Sequence, residues 1–163
     1  MEWEKITDII LITSIAILGV FALLGLIEWI KRKSLKKVDP ELLAMTPSLV
    51  LMAATYFIFD KVFILSTRPD GSGEPSFPSS HTMVAATIFL MAMIALPKYI
   101  KNKPLCIILD IVMVALIFLN AFGRVAANKH WPSDVVCGLV FAAIFAGIYC
   151  LVKKYLKKEK RYE

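Results

Sequence analysis

The sequence predicts an all-α protein, an integral membrane bundle of about five transmembrane helices. The chain has a mean hydropathy of +0.70 and 58% apolar residues. Its apolar residues fall in runs long enough to cross a bilayer, and none of the runs alternates as a half-buried strand does. With 163 residues there is room for one domain, so a single membrane-embedded domain is expected over residues 1–163.

Five apolar runs define the predicted helices. They extend from Ile9 to about Ile30, from Leu42 to about Leu65, from His81 or Thr82 to Leu96 and on to Ile100, from Leu105 to Phe122, and from Val135 to Val152. The first run begins after Met-Glu-Trp-Glu-Lys and is followed by basic residues, which is typical of a span rather than a cleaved signal. Pro47 interrupts the second run. The connector from Pro69 to Pro78 is rich in Gly, Pro and Ser and is predicted to be a loop.

The distribution of lysine and arginine predicts the orientation. One set follows the first, third and fifth spans: Lys31, Arg32, Lys33, Lys36, Lys37, Lys98, Lys101, Lys103, Lys153, Lys154, Lys157, Lys158, Lys160 and Arg161. The smaller set, on the other side, is Lys5, Lys61, Arg68, Arg124 and Lys129. The positive-inside rule makes the larger set cytoplasmic, with the N-terminus outside and the C-terminus inside. The net charge of +6 is then explained by the membrane, and no nucleic acid partner is expected.

The cysteines and the acidic residues of the connector do not indicate a metal site. Cys106, Cys137 and Cys150 lie inside apolar runs without metal-ligand spacing, so we interpret them as packing residues. Asp70 and Glu74 offer too few ligands. We therefore expect neither a metal nor a cofactor.

Three cations lie near the predicted ends of spans, where a charge is costly unless it has a function or reaches an interface. They are Lys61, Arg68 in an Arg-Pro pair, and Arg124. Each of them alone could be an interfacial anchor. Together they supply three positive charges, two of them on forked guanidinium groups that suit an oxyanion, and so they predict phosphate binding.

Both histidines of the chain stand at predicted helix starts on the same side. In Pro78-Ser79-Ser80-His81 the serines could simply cap the helix, but the same free N–H groups also form an anion site. His81 is not needed for a cap. In the second cluster, Asp134 can turn back to His130 and hold one imidazole nitrogen, which leaves the other nucleophilic. Alternatively, Asp134 only complements the helix dipole.

These clusters resemble the three-part signature of the type 2 phosphatidic acid phosphatase (PAP2) superfamily, which also contains the vanadium haloperoxidases. The matching patterns are Lys61-x6-Arg68-Pro69, Pro78-Ser79-Ser80-His81 and Arg124-x5-His130-x3-Asp134, which together span 74 residues. The chain departs from the family pattern twice. Ser80 stands where the family usually has glycine, and Gly123 where it usually has serine.

The resemblance implies a metal-independent phosphatase without a cofactor, acting through a phosphohistidine. His130 would attack phosphorus, Asp134 would orient it, and His81 would protonate the leaving oxygen. The residues implied in binding the other phosphate oxygens are Lys61, Arg68, Ser79, Ser80 through its backbone, and Arg124.

The sequence and the resemblance together predict an integral lipid phosphatase of the cell membrane with its site on the extracytoplasmic side. Its expected partners are the bilayer and a phospholipid or polyprenyl phosphate substrate, and an undecaprenyl-type diphosphate is favoured. Phosphatidic acid and phosphatidylglycerol phosphate are alternatives, as is transfer of the phosphoryl group to an acceptor. A non-enzymatic scaffold or transporter would not need the histidines. A vanadium haloperoxidase is a further alternative, but members of that branch are soluble and larger, so the apolar runs disfavour this assignment. The oligomeric state is left open.

Overall fold

The computed structural model describes residues 2–162, and six α-helices account for most of them. The helices are α1 (Glu2–Arg32), α2 (Pro40–Leu43), α3 (Met45–Phe57), α4 (Ser80–Tyr99), α5 (Lys103–Ala126) and α6 (Pro132–Tyr162). A 3₁₀ turn at Leu35–Lys37 precedes α2, and a π-helical turn at Ile58–Val62 continues α3. Within the described residues, β structure is limited to a single bridge between Thr67 and Pro75 in the connector.

Five helical segments of the described chain are long and apolar enough to cross a membrane, which confirms the predicted bundle. They are Glu2–Arg32, Pro40–Val62, Ser80–Tyr99, Lys103–Ala126 and Pro132–Arg161. The second segment breaks at Ala44 and not at Pro47, which lies in the first turn of α3, where proline is tolerated.

The first and last helices are longer than their apolar runs predict. α1 begins at Glu2 rather than near Ile9, and α6 continues to Tyr162 rather than ending at Val152. Hydropathy marks only the part that crosses the hydrocarbon, whereas a helix can continue into the interfacial layer. The acidic first turn of α1 and the basic last turn of α6 also interact favourably with the helix dipoles.

Helix α4 lies at the centre of the bundle and packs against α1, α5 and α6. Small residues on its buried faces allow these neighbours to approach closely: Ala85, Ala86, Ala92 and Ala95. By contrast, α1 and α5 expose large apolar side chains such as Ile12 and Phe118, as expected of helices that face lipid. The histidine at the start of α4 therefore projects from the best-buried helix of the bundle.

Two buried acids fix the end of the bundle at which α1 and α4 finish. Asp39 accepts hydrogen bonds from Lys98 and, at 2.9 Å, from Tyr99. Burial raises the pKa of Asp39, but the hydrogen bonds from Lys98, the Glu41 N–H and Tyr99 outweigh it and hold the pKa below its ordinary value. Glu41 accepts from Tyr149 at 2.9 Å and Lys157 at 2.6 Å. Basic residues from both α4 and α6 thus gather at this one end.

We expect Tyr149→Phe to destabilise the fold. The Tyr149 ring is fully buried, and its hydroxyl donates to the buried Glu41 carboxylate. Loss of a hydrogen bond to a charged group should lower the free energy of unfolding by about 1.5–3 kcal/mol. The measurement is denaturant or thermal unfolding in detergent, with Tyr155→Phe as the control because Tyr155 is 67% exposed. Equal stability of the two variants would show that the Tyr149 bond contributes nothing.

Candidate active site

The polar clusters of the sequence meet at the opposite end of the bundle. α4 begins there with His81, α5 ends there with Arg124, and His130 follows just before α6. The connector folds over this end and encloses a cavity of about 150 Å³. The polar residues that line the cavity include Asp60, Arg68, Ser76, Ser80, His81 and His130. The two histidines, 49 positions apart in sequence, therefore share one cavity.

The backbone of the connector orients the His130 ring. Its Nδ1 lies 2.8 Å from the carbonyl oxygen of Ser76, and the side chain is buried. Because a carbonyl oxygen only accepts hydrogen bonds, Nδ1 carries the proton and Nε2 keeps a free lone pair. Nε2 lies 3.4 Å from Nη2 of Arg124. The tautomer is thus the one in which Nε2 can act as a nucleophile.

Asp134 acts on His130 through Ser76 and not by the direct contact that the sequence suggests. Its Oδ2 accepts hydrogen bonds from the Ser76 hydroxyl and, at 3.0 Å, from the Trp131 N–H. Asp134 is the third residue of α6, so its carboxylate turns toward the free N–H groups at the helix start. No local pattern marks Ser76, which is one of several serines in a loop.

The environment of His130 keeps it neutral near pH 7. Burial and then the nearby Arg124 charge lower the pKa of His130 to about 4, against the opposing influence of the Ser76 hydrogen bond. Near neutrality, Nε2 is therefore unprotonated and free to attack.

Histidine NMR in detergent should show His130 titrating near pH 4, well below an ordinary imidazole. Arg124→Gln should raise the midpoint, because removal of a nearby positive charge stabilises the imidazolium. Lys61→Gln is the control, since Lys61 is exposed, pairs with Asp60 and does not line the cavity, so its loss should leave the midpoint unchanged. Assignment is simple, as the chain has two histidines. A wild-type midpoint near 6.5 would contradict the buried, cation-flanked site.

Two arginines supply the positive charge at the site. Arg124 is 2% exposed, and its Nη1 lies 3.3 Å from the hydroxyl of Thr7. Arg68 lines the cavity and forms an ion pair with Glu74, which is more than half exposed. Since both guanidinium groups lie near His130, their charges would face an anion bound in the cavity.

The other predicted phosphate ligands differ in their placement. Ser80 lines the cavity. The Ser79 side chain is buried 3.0 Å from the Thr82 hydroxyl, while its N–H donates to the carbonyl of Asp134. Lys61 has a 65% exposed side chain that pairs with Asp60 at 2.7 Å, and Lys61 itself does not line the cavity. The structure thus brings together both histidines, both arginines and Ser80, and it leaves Lys61 and the Ser79 hydroxyl aside.

Helix α1 brings residues to the site that the sequence analysis did not identify. Oδ1 of Asp8 lies 3.1 Å from Nε2 of His81 and 3.8 Å from Nη1 of Arg124. Gly123 explains the close approach of α1 to α5, because a Cβ at that position would lie 2.6 Å from Thr7 Cγ2. The one signal for Asp8 in the sequence is that it is a carboxylate directly before the first apolar run.

A family model and two curated proteins match parts of this chain. The family model described as the PAP2 superfamily matches residues 57–158. A lipid A 1-phosphatase of Porphyromonas gingivalis is 34% identical over 71 residues, which are 44% of this chain and 15% of that protein. A second lipid A 1-phosphatase, from Rhizobium johnstonii, is 28% identical over 81 residues, which are 50% of this chain and 29% of that protein. The chain thus spans less than a third of the length of either relative.

The fold has a solved counterpart. It is similar to the crystal structure of the first transmembrane PAP2 type phosphatidylglycerolphosphate phosphatase from Bacillus subtilis, with a TM-score of 0.63 and 20% sequence identity. The alignment covers 98% of this chain and 79% of that one. The matched family segment runs from the end of α3 into the last turns of α6 and contains all three clusters of the cavity. On these grounds the chain belongs to the PAP2 superfamily.

Proposed function

We propose that the protein is a membrane phosphatase that hydrolyses a lipid phosphate or diphosphate through a phosphohistidine on His130. The observation that carries the proposal is the buried His130 ring, whose Nδ1 proton is held by Ser76 and whose free Nε2 lies beside Arg124. A nucleophile next to a fixed cation suits attack on the phosphorus of an anionic ester.

The chemistry proceeds in two displacements. In the first, Nε2 of His130 forms a bond to phosphorus as the bond to the lipid oxygen breaks, and His81 gives that oxygen a proton. In the second, water attacks phosphorus, the P–N bond breaks, and His81 takes the proton from the water. An imidazole can serve as acid and then as base because it ordinarily titrates near neutrality.

The arginines and the backbone N–H groups at the start of α4 stabilise the phosphate oxygens in this scheme. Phosphoryl transfer depends chiefly on positioning and on compensation of oxygen charge, and fixed guanidinium groups provide both. Arg68 would exchange its exposed partner Glu74 for a phosphate oxygen. We therefore propose that the reaction needs no metal, with Lys61 and Ser79 as secondary ligands at most.

A lipid substrate fits the surroundings of the cavity. The cavity holds about 150 Å³, enough for phosphate groups but not for a lipid tail. Beside it, His81 and Ser80 also border an apolar groove of about 250 Å³, formed with Leu11, Ile15 and Val84. Because α1 exposes its apolar side chains, a tail in this groove can remain in the bilayer.

Among lipids we favour a polyprenyl diphosphate of the undecaprenyl type. Its single tail suits one narrow groove, and its two phosphates suit two arginines. Phosphatidic acid remains an alternative. The two relatives named lipid A 1-phosphatase add the 1-phosphate of lipid A as a candidate substrate. The similar solved structure, a phosphatidylglycerolphosphate phosphatase, supports phosphatidylglycerol phosphate as another.

The test is phosphate release by the purified protein in detergent with EDTA, on a panel of these lipids, with His130→Ala as the control. We expect release that survives EDTA and vanishes in the variant, with the polyprenyl diphosphate turned over fastest. Loss of release in EDTA, restored by added metal, would overturn the metal-free mechanism. Absence of release from every lipid by folded protein would overturn the proposed activity.

We also propose that the cavity faces the outside of the cell, because the opposite end of the bundle carries the large set of basic residues. A cysteine at Ser72, exposed in the connector, should react with a membrane-impermeant maleimide in intact cells. A cysteine at the exposed Lys154 of α6 should react only after lysis. The parent chain gives the background from its own cysteines, and the reverse pattern would invert the orientation.

A further inference from the structure

The first helix supplies a carboxylate to the site from outside the segment that the family model matches. Asp8 lies in α1, whereas the matched segment begins at residue 57. Its Oδ1 is 3.1 Å from Nε2 of His81 and 3.8 Å from Nη1 of Arg124. One acid therefore touches both the proposed proton donor and the buried cation of the site.

The contact determines how His81 presents its protons. A carboxylate only accepts hydrogen bonds, so Nε2 of His81 carries a proton that points at Asp8. When the ring is protonated the carboxylate pairs with it, and this imidazolium is the form able to protonate a leaving oxygen. With Nε2–H held by Asp8, the second N–H of the imidazolium, at Nδ1, is available for the transfer.

The neighbouring residues fix α1 relative to the cavity. The Thr7 hydroxyl donates to the carbonyl of Glu4 at 2.8 Å, which leaves its lone pair for Arg124. The Glu4 carboxylate lies 3.3 Å from Lys129, and Lys129 lies 3.1 Å from Asp70 in the connector. Asp8 is thus carried by a turn that is tied to both loops of the site, although its own side chain is half exposed.

A carboxylate beside a phosphate site normally repels the substrate. Here Asp8 lies beside Arg124 and His81, so its charge is offset by that of Arg124 and, when the ring is protonated, by that of His81. Removal of the Asp8 charge should therefore not weaken substrate binding, and its effect should fall on the step in which a proton moves.

We propose that Asp8 is a positioning residue that holds His81 as the proton donor. The inference rests on the proposed function, because it assigns Asp8 to the step in which His81 protonates the leaving oxygen. The contribution of α1 would make this helix part of the reaction site and not only a membrane anchor.

The test compares Asp8→Asn with wild type in the full chain in detergent, on phosphatidic acid and on p-nitrophenyl phosphate. The lipid has a poor alkoxide leaving group that needs a proton, and the nitrophenolate does not. On phosphatidic acid, kcat should fall about 10- to 100-fold, the range of a charge-assisted hydrogen bond, with KM little changed. On p-nitrophenyl phosphate the loss should be less than about threefold.

Three further variants separate positioning from folding. Asp8→Glu should recover most of the activity, and Glu2→Gln, the same change at an exposed acid of α1, should behave as wild type. Asp8→Asn added to His81→Ala should cause no further loss, because the residue that Asp8 acts on is gone.

Each outcome decides the proposal. Equal losses on both substrates, a further loss on the His81→Ala background, or wild-type kcat in Asp8→Asn would overturn the role of Asp8 while leaving the phosphatase intact. If wild-type protein releases no phosphate, or if His130→Ala retains activity, the proposed function fails first and the role of Asp8 fails with it. If Asp8→Asn does not fold, His81→Ala provides the test. Full activity of that variant on phosphatidic acid would contradict the proposal, because His81 would then not be the proton donor that Asp8 positions.

Discussion

Replacement of His130 by alanine is expected to abolish phosphate release from every substrate. The variant loses the atom that bonds to phosphorus, and among the described residues His130 is the one whose ring nitrogen lies within hydrogen-bonding distance of Arg124, at 3.4 Å. Loss of a covalent nucleophile should reduce kcat by roughly 10⁴-fold or more. The measurement is initial-rate phosphate release at saturating lipid, with protein concentrations matched by folded fraction.

His130→Asn is the matched variant for this experiment. It retains a polar side chain near the Ser76 carbonyl and the guanidinium of Arg124 but cannot form a phosphohistidine. We expect it to be as inactive as His130→Ala while its thermal unfolding stays closer to that of wild type. Residual turnover above about one per cent of wild type in either variant would indicate that another group attacks phosphorus.

Replacement of His81 by alanine should produce the second largest effect, and one that depends on the leaving group. A positioned general acid typically contributes about 10²- to 10⁴-fold. Phosphatidic acid, whose alkoxide must be protonated, should therefore lose about that factor in kcat. The loss with p-nitrophenyl phosphate should be smaller, because its leaving group departs without a proton. For this substrate the variant lacks only the base that takes the proton from water in the second displacement.

The comparison between the two substrates is what tests the role of His81. Equal losses on the lipid and on the aryl phosphate would indicate that His81 binds or packs but does not donate a proton. His81→Gln serves as the control for volume and polarity, since glutamine can still donate a hydrogen bond to Asp8 but cannot give up a proton. It should resemble His81→Ala in its dependence on the leaving group.

The helices could be predicted from the sequence because bilayer thickness sets the length of an apolar run. The ends of the helices could not be predicted in this way. The polar turns at the start of α1, from Glu2, and at the end of α6, beyond Val152, remain helical outside the hydrocarbon. Pro47 is the most obvious helix breaker in the second span and predicts a break there, whereas this proline lies in the first turn of α3, where it is tolerated, and the span breaks at Ala44.

Residues that share a short motif with fixed spacing were recognised from the sequence, and these include both histidines and Arg124. Residues that reach the cavity from other elements were not. Ser76 and Asp8 become visible only when the connector and α1 pack onto α4 and α5, because no local pattern marks them. Lys61 shows the opposite limit, since its spacing matches the motif while its exposed side chain pairs with Asp60 and does not line the cavity.

The most direct test of the account is to trap the intermediate. Wild-type protein would be mixed with ³²P-labelled lipid phosphate in EDTA, quenched in alkali within the first turnover, digested and mapped. We predict label that is stable to alkali and labile to acid, located on the peptide that contains His130, and absent from His130→Ala. Full phosphate release without label on that peptide would contradict the phosphohistidine and point to direct attack by water.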